Sequence, residues 1–310
     1  MNKALIAMDK SGSFRVYLAI TTSMVEEARQ VHGTSPLATA ALGRVLTGAG
    51  LMGLQLKNTG DKLTVQFKGD GPAGEILVTA YGDGRVKGYI SNPEVELPLK
   101  SDGKLDVGGS IGIGTLTVIK DLGLKEPYVG KIDLASGEIG DDLTAYFFLS
   151  EQQSSSVALG VRINPDYTTA SAGGMIIQML PDAQPESIEQ LEAMLAEMKP
   201  ISSLAETVVA ESAGKTEDAI MNSFLERIFS TLPDEFAVQP LEYREIGWNC
   251  DCSEERLEQV VISIGSRDLK EIVEEDGQAE LVCQFCGTQY RFDKEHLVRL
   301  LEESLQREGN

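Results

Sequence analysis

The chain has 310 residues, 48 acidic against 27 basic side chains, two histidines and a net charge of −21. Its 42% hydrophobic and 24% charged content is ordinary for a globular protein of one large or two to three smaller domains. No apolar run approaches the roughly 18 residues of a bilayer span, and the stretch after Met1 is too short for a secretory leader, so a cytoplasmic protein without a membrane partner is expected.

Residues 13–22 are rich in β-branched and aromatic side chains and partly alternate, which predicts a strand. Ser23 to Val31 reads as a short helix ended by Gly33. Ser35 and Pro36 open a longer helix as N-cap and first helical residue. That helix runs to about Leu56 and is crowded with small residues (Ala38, Ala40, Ala41, Gly43, Gly48, Ala49, Gly50, Gly53). Glycine weakens a helix by roughly 1 kcal/mol relative to alanine, so close packing of a buried, central helix must offset the loss.

From residue 61 the pattern becomes β-rich: 62–68, 75–81 and 85–90 read as strands, with turns at Gly69-Asp70-Gly71-Pro72 and Gly82-Asp83-Gly84. The glycine-rich run 108–114 lacks the Lys-Ser/Thr of a phosphate-binding loop and leads into a strand pattern at 115–120, so it reads as a turn. A helix is predicted over 141–152, then strands over 157–163 and 172–179 around the turn Asn164-Pro165-Asp166. Strands and helices mix without regular alternation, which predicts an α+β fold whose N-terminal mixed α/β-sheet domain covers residues 1–181.

Residues 182–245 carry 14 acids against 4 bases. They read as a linker of three short amphipathic helices and an extended connector, Phe236 to Tyr243. Ser187 to Gln190 and Ser203 to Glu206 have the form of capping boxes, and Thr216 begins the third helix. The apolar faces are Ile188, Leu191, Leu195 and Met198 in the first helix, then Ile220, Phe224, Leu225, Ile228 and Phe229 in the third. Each helix is near or below the ~12–15 residues at which an isolated helix is marginal, so they hold only when packed on something. Met194, Met198 and Met221 suit core packing or promiscuous contacts.

Residues 246–310 form the last expected domain, with 15 acids against 7 bases and all four cysteines of the chain. The cysteines stand as Cys250-Asp251-Cys252 and, after thirty residues, Cys283-Gln284-Phe285-Cys286-Gly287. Two short-spaced pairs from separate segments are how a chain offers four thiolates to one tetrahedral zinc ion, so Cys250, Cys252, Cys283 and Cys286 are the expected ligands. Ser253 and Asp293 are expected helix caps, and Leu257, Val260, Val261 and Ile264 form one apolar face. The last 129 residues hold −18 of the net charge, which excludes a nucleic-acid-binding zinc module, because such a module needs basic side chains to displace phosphate counterions.

Each cysteine pair could in principle close on itself as a disulfide. Structural zinc supplies roughly 10–16 kcal/mol of folding energy, whereas chain entropy gives about 1.6 and 1.9 kcal/mol for disulfides closing such small loops. Oxidation that cost the domain its zinc would therefore unfold it. From these residues alone the site is either a structural zinc clamp or a redox switch. His32 and His296 lie beside helical patterns, away from any second catalytic signal, and read as surface or packing residues; no enzyme motif emerges.

Residues 64–72, Ser150-Glu151-Gln152, residues 172–179 with Pro181, the Cys250/Cys252 pair, and Glu275-Asp276-Gly277 leading to Cys283, Cys286, Tyr290 and Phe292 carry a likeness that extends over the whole chain. Through them the chain resembles the redox-regulated 33-kDa heat-shock chaperone family (heat shock protein 33). It implies an ATP-independent holdase, inactive while reduced with zinc on Cys250, Cys252, Cys283 and Cys286. Oxidation would expel the zinc, form Cys250–Cys252 and Cys283–Cys286 disulfides and unfold the linker. The resulting form, typically a homodimer, would bind unfolding client proteins. The competing readings are a thiol–disulfide oxidoreductase and a constitutive zinc-stabilised adaptor module.

Overall fold

In the computed structural model, which describes residues 1–308, the chain begins with a strand pair whose first member has no clear signature in the sequence. β1 (Lys3–Asp9) and β2 (Phe14–Ile20) are antiparallel, and Asp9 closes their turn by accepting from the Phe14 and Ser11 backbone N–H groups at 2.7 and 3.0 Å. α1 (Thr22–His32) ends at Gly33 with φ +62°, and α2 (Pro36–Gly53) is capped by Ser35, which accepts from Ala38 N–H at 3.1 Å. The predicted cap and proline are where expected; the helix stops three residues short of Leu56.

β3 (Lys62–Gly69), β4 (Glu75–Tyr81) and β5 (Arg85–Ile90) follow as a meander. The glycine-rich stretch is a turn of helix, α3 (Val107–Ile111), leading into β6 (Gly114–Asp121). β7 (Tyr128–Asp133) then adds an edge strand that the sequence reading did not include, and α4 (Ile139–Ser150) precedes the long pair β8 (Ser155–Ile163) and β9 (Thr169–Met179).

Three helices follow: α5 (Pro185–Glu197), α6 (Ile201–Glu211) and α7 (Glu217–Phe229). Their starts correct the expected capping boxes. α5 and α6 begin one turn earlier, at Pro185 and behind Pro200, so Ser187 and Ser203 lie inside the first turn; the Ser187 hydroxyl donates to the Gln184 carbonyl at 2.6 Å. Proline fits a helix start because its missing N–H has no acceptor there anyway. Thr216 does cap α7, accepting from Ala219 N–H. The expected connector is instead a strand, β10 (Val238–Glu245), paired with β1 across a bulge near Ile6/Ala7, and β11 (Gly247–Trp248) runs parallel to β5. Pro240 is tolerated because β10 is an edge strand.

The strand orders are β10-β1-β2-β9-β8 and β11-β5-β4-β3-β6-β7. α2 packs against strands of both sheets, and its small residues make room: a Cβ on Gly43 would meet Val25 at 2.7 Å and Val161 at 3.0 Å, one on Gly48 Leu143 at 2.7 Å, and one on Gly50 Ile246 at 2.6 Å. Alternation along β2 divides its side chains between two cores. Tyr17 and Ala19 join the core around α2, while Val16, Leu18 and Ile20 join a second core with Leu191, Met194, Val208, Met221, Phe224 and Phe229 of α5–α7. The acidic amphipathic helices therefore cover one face of the five-stranded sheet. Ile188, expected on the buried face of α5, is 37% exposed.

Met1–Asn249 form one compact unit and Cys250–Asn310 another. The second contains α8 (Glu254–Ser263), α9 (Ser266–Glu275), the hairpin β12 (Gln278–Val282) and β13 (Gln289–Asp293), and α10 (Lys294–Glu308). Its core is small: Val261, Ile262, Leu269, Val273, Phe292, Leu297 and Leu300. The architecture is the α+β class expected, with β-sheets and helices followed by a C-terminal cluster of four cysteines.

Candidate metal centre

Two short segments of the second unit bring the four cysteines together. Cys250 and Cys252 lie just before α8, where Ser253 accepts from Arg256 N–H at 3.3 Å and fixes the helix start. The Arg256 guanidinium reaches back to the Asp251 carboxylate at 2.6 Å and the Asp251 carbonyl at 3.0 Å, holding the residue between the two cysteines. Cys283 and Cys286 occupy the loop joining β12 to β13. That loop is closed by the Cys283 N–H donating to Thr288 O at 2.9 Å and the Gly287 N–H donating to Cys283 O at 2.8 Å, with Gly287 at φ +71°. Glycine takes this left-handed conformation without steric cost.

The four Sγ atoms all lie within 4.8 Å of one another. Cys250 is 3.7 Å from Cys283, and Cys252 is 3.3 Å from Cys286; no disulfide joins them. An ion tetrahedrally bound at about 2.3 Å from each sulfur would space the sulfurs roughly 3.8 Å apart. The donor set and its span fit such an ion. Cys283 is buried, and the other three are partly exposed.

The electrostatics favour the same use. Burial pushes the Cys250 and Cys283 thiols up, with the packed neighbouring sulfurs adding to the rise at Cys250. At Cys286 burial also pushes upward but is outweighed, first by the Thr288 hydroxyl and backbone N–H, so its thiol falls to about 7. Four sulfurs this close resist collective ionisation until a cation neutralises them. Two hydroxyls also reach the cluster: Tyr290 Oη donates to Cys252 Sγ at 3.1 Å, and Thr288 Oγ1 lies 3.1 Å from Cys286 Sγ. The hydrogen bond to Cys252 raises the Tyr290 hydroxyl well above its ordinary value.

Cysteine spacing located the cluster in the sequence; the hydroxyl donors were not foreseen as such, because only the hairpin geometry brings Tyr290 to a sulfur 38 residues away. The histidines have other surroundings. His32 Nε2 is 2.9 Å from Gly88 O, with its ring edge-on to Trp248. His296 packs edge-on to Phe292 and faces Glu258 at 2.6 Å and Glu254 at 3.7 Å. No helix among the described residues is long and apolar enough to cross a membrane.

Comparison with known proteins finds likeness over nearly the whole chain. A family model described as "Hsp33 protein" matches residues 2–293. The 33 kDa chaperonin of Alkaliphilus oremlandii is 47% identical over 301 residues, covering 97% of this chain and 96% of that protein. The 33 kDa chaperonin of Bacillus subtilis is 42% identical over 305 residues, covering 98% and 99%. The crystal structure of the 33 kDa chaperonin, a heat shock protein 33 homologue, from Thermotoga maritima superposes with a TM-score of 0.84 at 34% identity, covering 98% of this chain and 99% of that one. With its fold, its clustered cysteines and this likeness over nearly every residue, the chain belongs to the Hsp33 family of chaperones.

Proposed function

We propose that the protein is a redox-regulated, ATP-independent holdase of the cytoplasm that works without catalysing a reaction. Cys250, Cys252, Cys283 and Cys286 would hold one zinc ion per chain in the reduced, inactive form. The observation that carries this reading is the convergence of four sulfurs from two segments onto a unit with only a small apolar core. When bound, zinc supplies charge neutralisation for four thiolates and a tie between segments thirty residues apart in sequence.

A peroxide takes two electrons from each cysteine pair. One thiolate attacks the peroxide oxygen, giving a sulfenic acid and hydroxide; the second thiolate attacks that sulfur, giving the disulfide and a second hydroxide. The Cys250–Cys252 and Cys283–Cys286 bonds so formed join near neighbours and leave the two segments untied. The unit then loses its main support, and residues 182–245, a metastable linker in this reading, loosen from the sheet. Leu191, Met194, Phe224 and Phe229 and the sheet face beneath them become available to apolar segments of unfolding clients, with residues 1–181 providing client binding and dimerisation. The −18 charge of residues 182–310 keeps the complex soluble.

The test is light scattering from a heat-unfolding client, with zinc release followed by a chromophoric chelator. The reduced protein should leave aggregation unchanged; the peroxide-treated protein should suppress it stoichiometrically after releasing one zinc per chain. Suppression by the reduced form, lost on chelation, would instead identify a constitutive adaptor. Turnover of a disulfide substrate would identify an oxidoreductase.

A further inference from the structure

The two hydroxyls at the cysteine cluster differ in where they come from. Thr288 acts locally, two residues after the sulfur it meets, Cys286. Tyr290 belongs to β13, in the hairpin that carries Cys283 and Cys286, yet it donates to Cys252 in the other half of the cluster. Its side chain is partly buried and packs against the apolar core of the unit, so the hydroxyl is held in place by packing and not only by its own hydrogen bond. Each cysteine pair thus contains one sulfur that meets a hydroxyl, Cys252 in the first and Cys286 in the second.

We infer that Tyr290 and Thr288 are positioning residues that set how readily each cysteine pair is oxidised, with Tyr290 coupling the Cys250/Cys252 pair to the hairpin of the other pair. The inference rests on the proposed redox switching of these cysteines. In the zinc-loaded cluster, where all four sulfurs would already be thiolates, a hydroxyl donated to a sulfur spreads its charge and occupies a lone pair, which makes that sulfur a poorer nucleophile toward peroxide. It also orients the sulfur within the cluster, as partners of metal-binding side chains do. Tyr290 therefore restrains the first pair from a strand belonging to the second, and Thr288 restrains the second pair from within its own loop. Removing either donor should unbalance the two oxidations. The step itself is unchanged: two thiolates and one peroxide give one disulfide and two hydroxides.

The experiment uses the full-length, zinc-loaded protein and the variants Tyr290→Phe and Thr288→Val. Tyr290→Phe keeps the packed ring, and Thr288→Val keeps the backbone carbonyl that accepts from Cys283. Zinc affinity is read by competition with a chromophoric chelator, and the two disulfides are timed separately by alkylation and mass spectrometry during peroxide treatment. Tyr290→Phe should bind zinc about tenfold more weakly. It should also form the Cys250–Cys252 bond about three- to fivefold faster relative to Cys283–Cys286, and Thr288→Val should shift that ratio the other way. General loosening of the unit would speed both bonds alike and leave the ratio unmoved, which would overturn the inference. Unchanged affinity and ratio in both variants would overturn it too, while the proposed function survives if wild type forms both disulfides. Failure of wild type to form either disulfide under peroxide would overturn both.

Discussion

Glu26 shows how one side chain can connect elements far apart in the sequence. Its carboxylate accepts from Arg29 at 2.7 and 2.9 Å, from Gln30 at 2.9 Å and from the backbone N–H of Thr169 at 2.8 Å, tying α1 to the start of β9. The Arg29 hydrogen bond is the main cause that holds its pKa down from 4.5 to about 2, against the upward push of burial. Because the folded-state value is depressed, the stabilisation is complete above the ordinary carboxylate range and is lost as pH falls from about 4.5 to about 2. Asp142, fully buried and raised chiefly by burial, contributes with the opposite sign, so the whole-protein pH curve does not isolate Glu26. A difference measurement does: Glu26→Gln should be less stable than wild type to urea at neutral pH, and the gap should close across that acid interval. A constant gap would mean that packing, not charge, accounts for the effect.

Among the elements, α2 shows how small residues determine a helix's neighbours. Gly43 lies between Val25 of α1 and Val161 of β8, and a Cβ there would sit 2.7 and 3.0 Å from their methyl groups. Alanine would gain about 1 kcal/mol of helix propensity, but valine has few rotamers into which to retreat, and overpacking costs about 1–3 kcal/mol. Gly43→Ala should therefore lower the urea midpoint, whereas Gly60→Ala, which meets nothing within 4 Å, should leave it unchanged or raise it slightly. The density of small residues made the burial of α2 legible in the sequence, as Ser35, Thr216, Ser253 and Asp293 made four helix starts legible. Ser187 and Ser203 misled because a proline two or three residues before each starts the helix sooner. β1, β7 and β10 were less legible for other reasons. β7 is a mostly exposed edge strand without an alternating apolar face. β1 is flanked by β2 and by the distant β10, and the polar, proline-bearing β10 pairs as a strand with a β1 far away in the sequence. The cysteine cluster was legible from spacing alone, whereas its hydroxyl donors required the folded hairpin.

At the scale of the whole molecule, the two units differ in what holds them. Met1–Asn249 have two apolar cores, one around α2 and one between the five-stranded sheet and α5–α7. Among its described residues, the unit that begins at Cys250 has a short hairpin, three helices and one small core, and a unit of about sixty residues is marginal without a staple. The chain passes from α7 through β10 to Ile246, which is 2% exposed in the core around α2, close to Gly50, then reaches Cys250 four residues later. A loss of structure starting at the cysteines thus has a direct covalent route to β10 and α7, but must displace Ile246 to take it. Hydrogen exchange after peroxide treatment should show protection lost throughout residues 250–308, reduced in α5–α7 and β10, and retained in α2 and β3–β6. Ile246→Ala, by removing the anchor, should extend the loss into β10 and α7 at lower peroxide, with chaperone activity rising in step. Full activity with α5–α7 still protected would show that clients are met elsewhere than on the sheet face those helices cover.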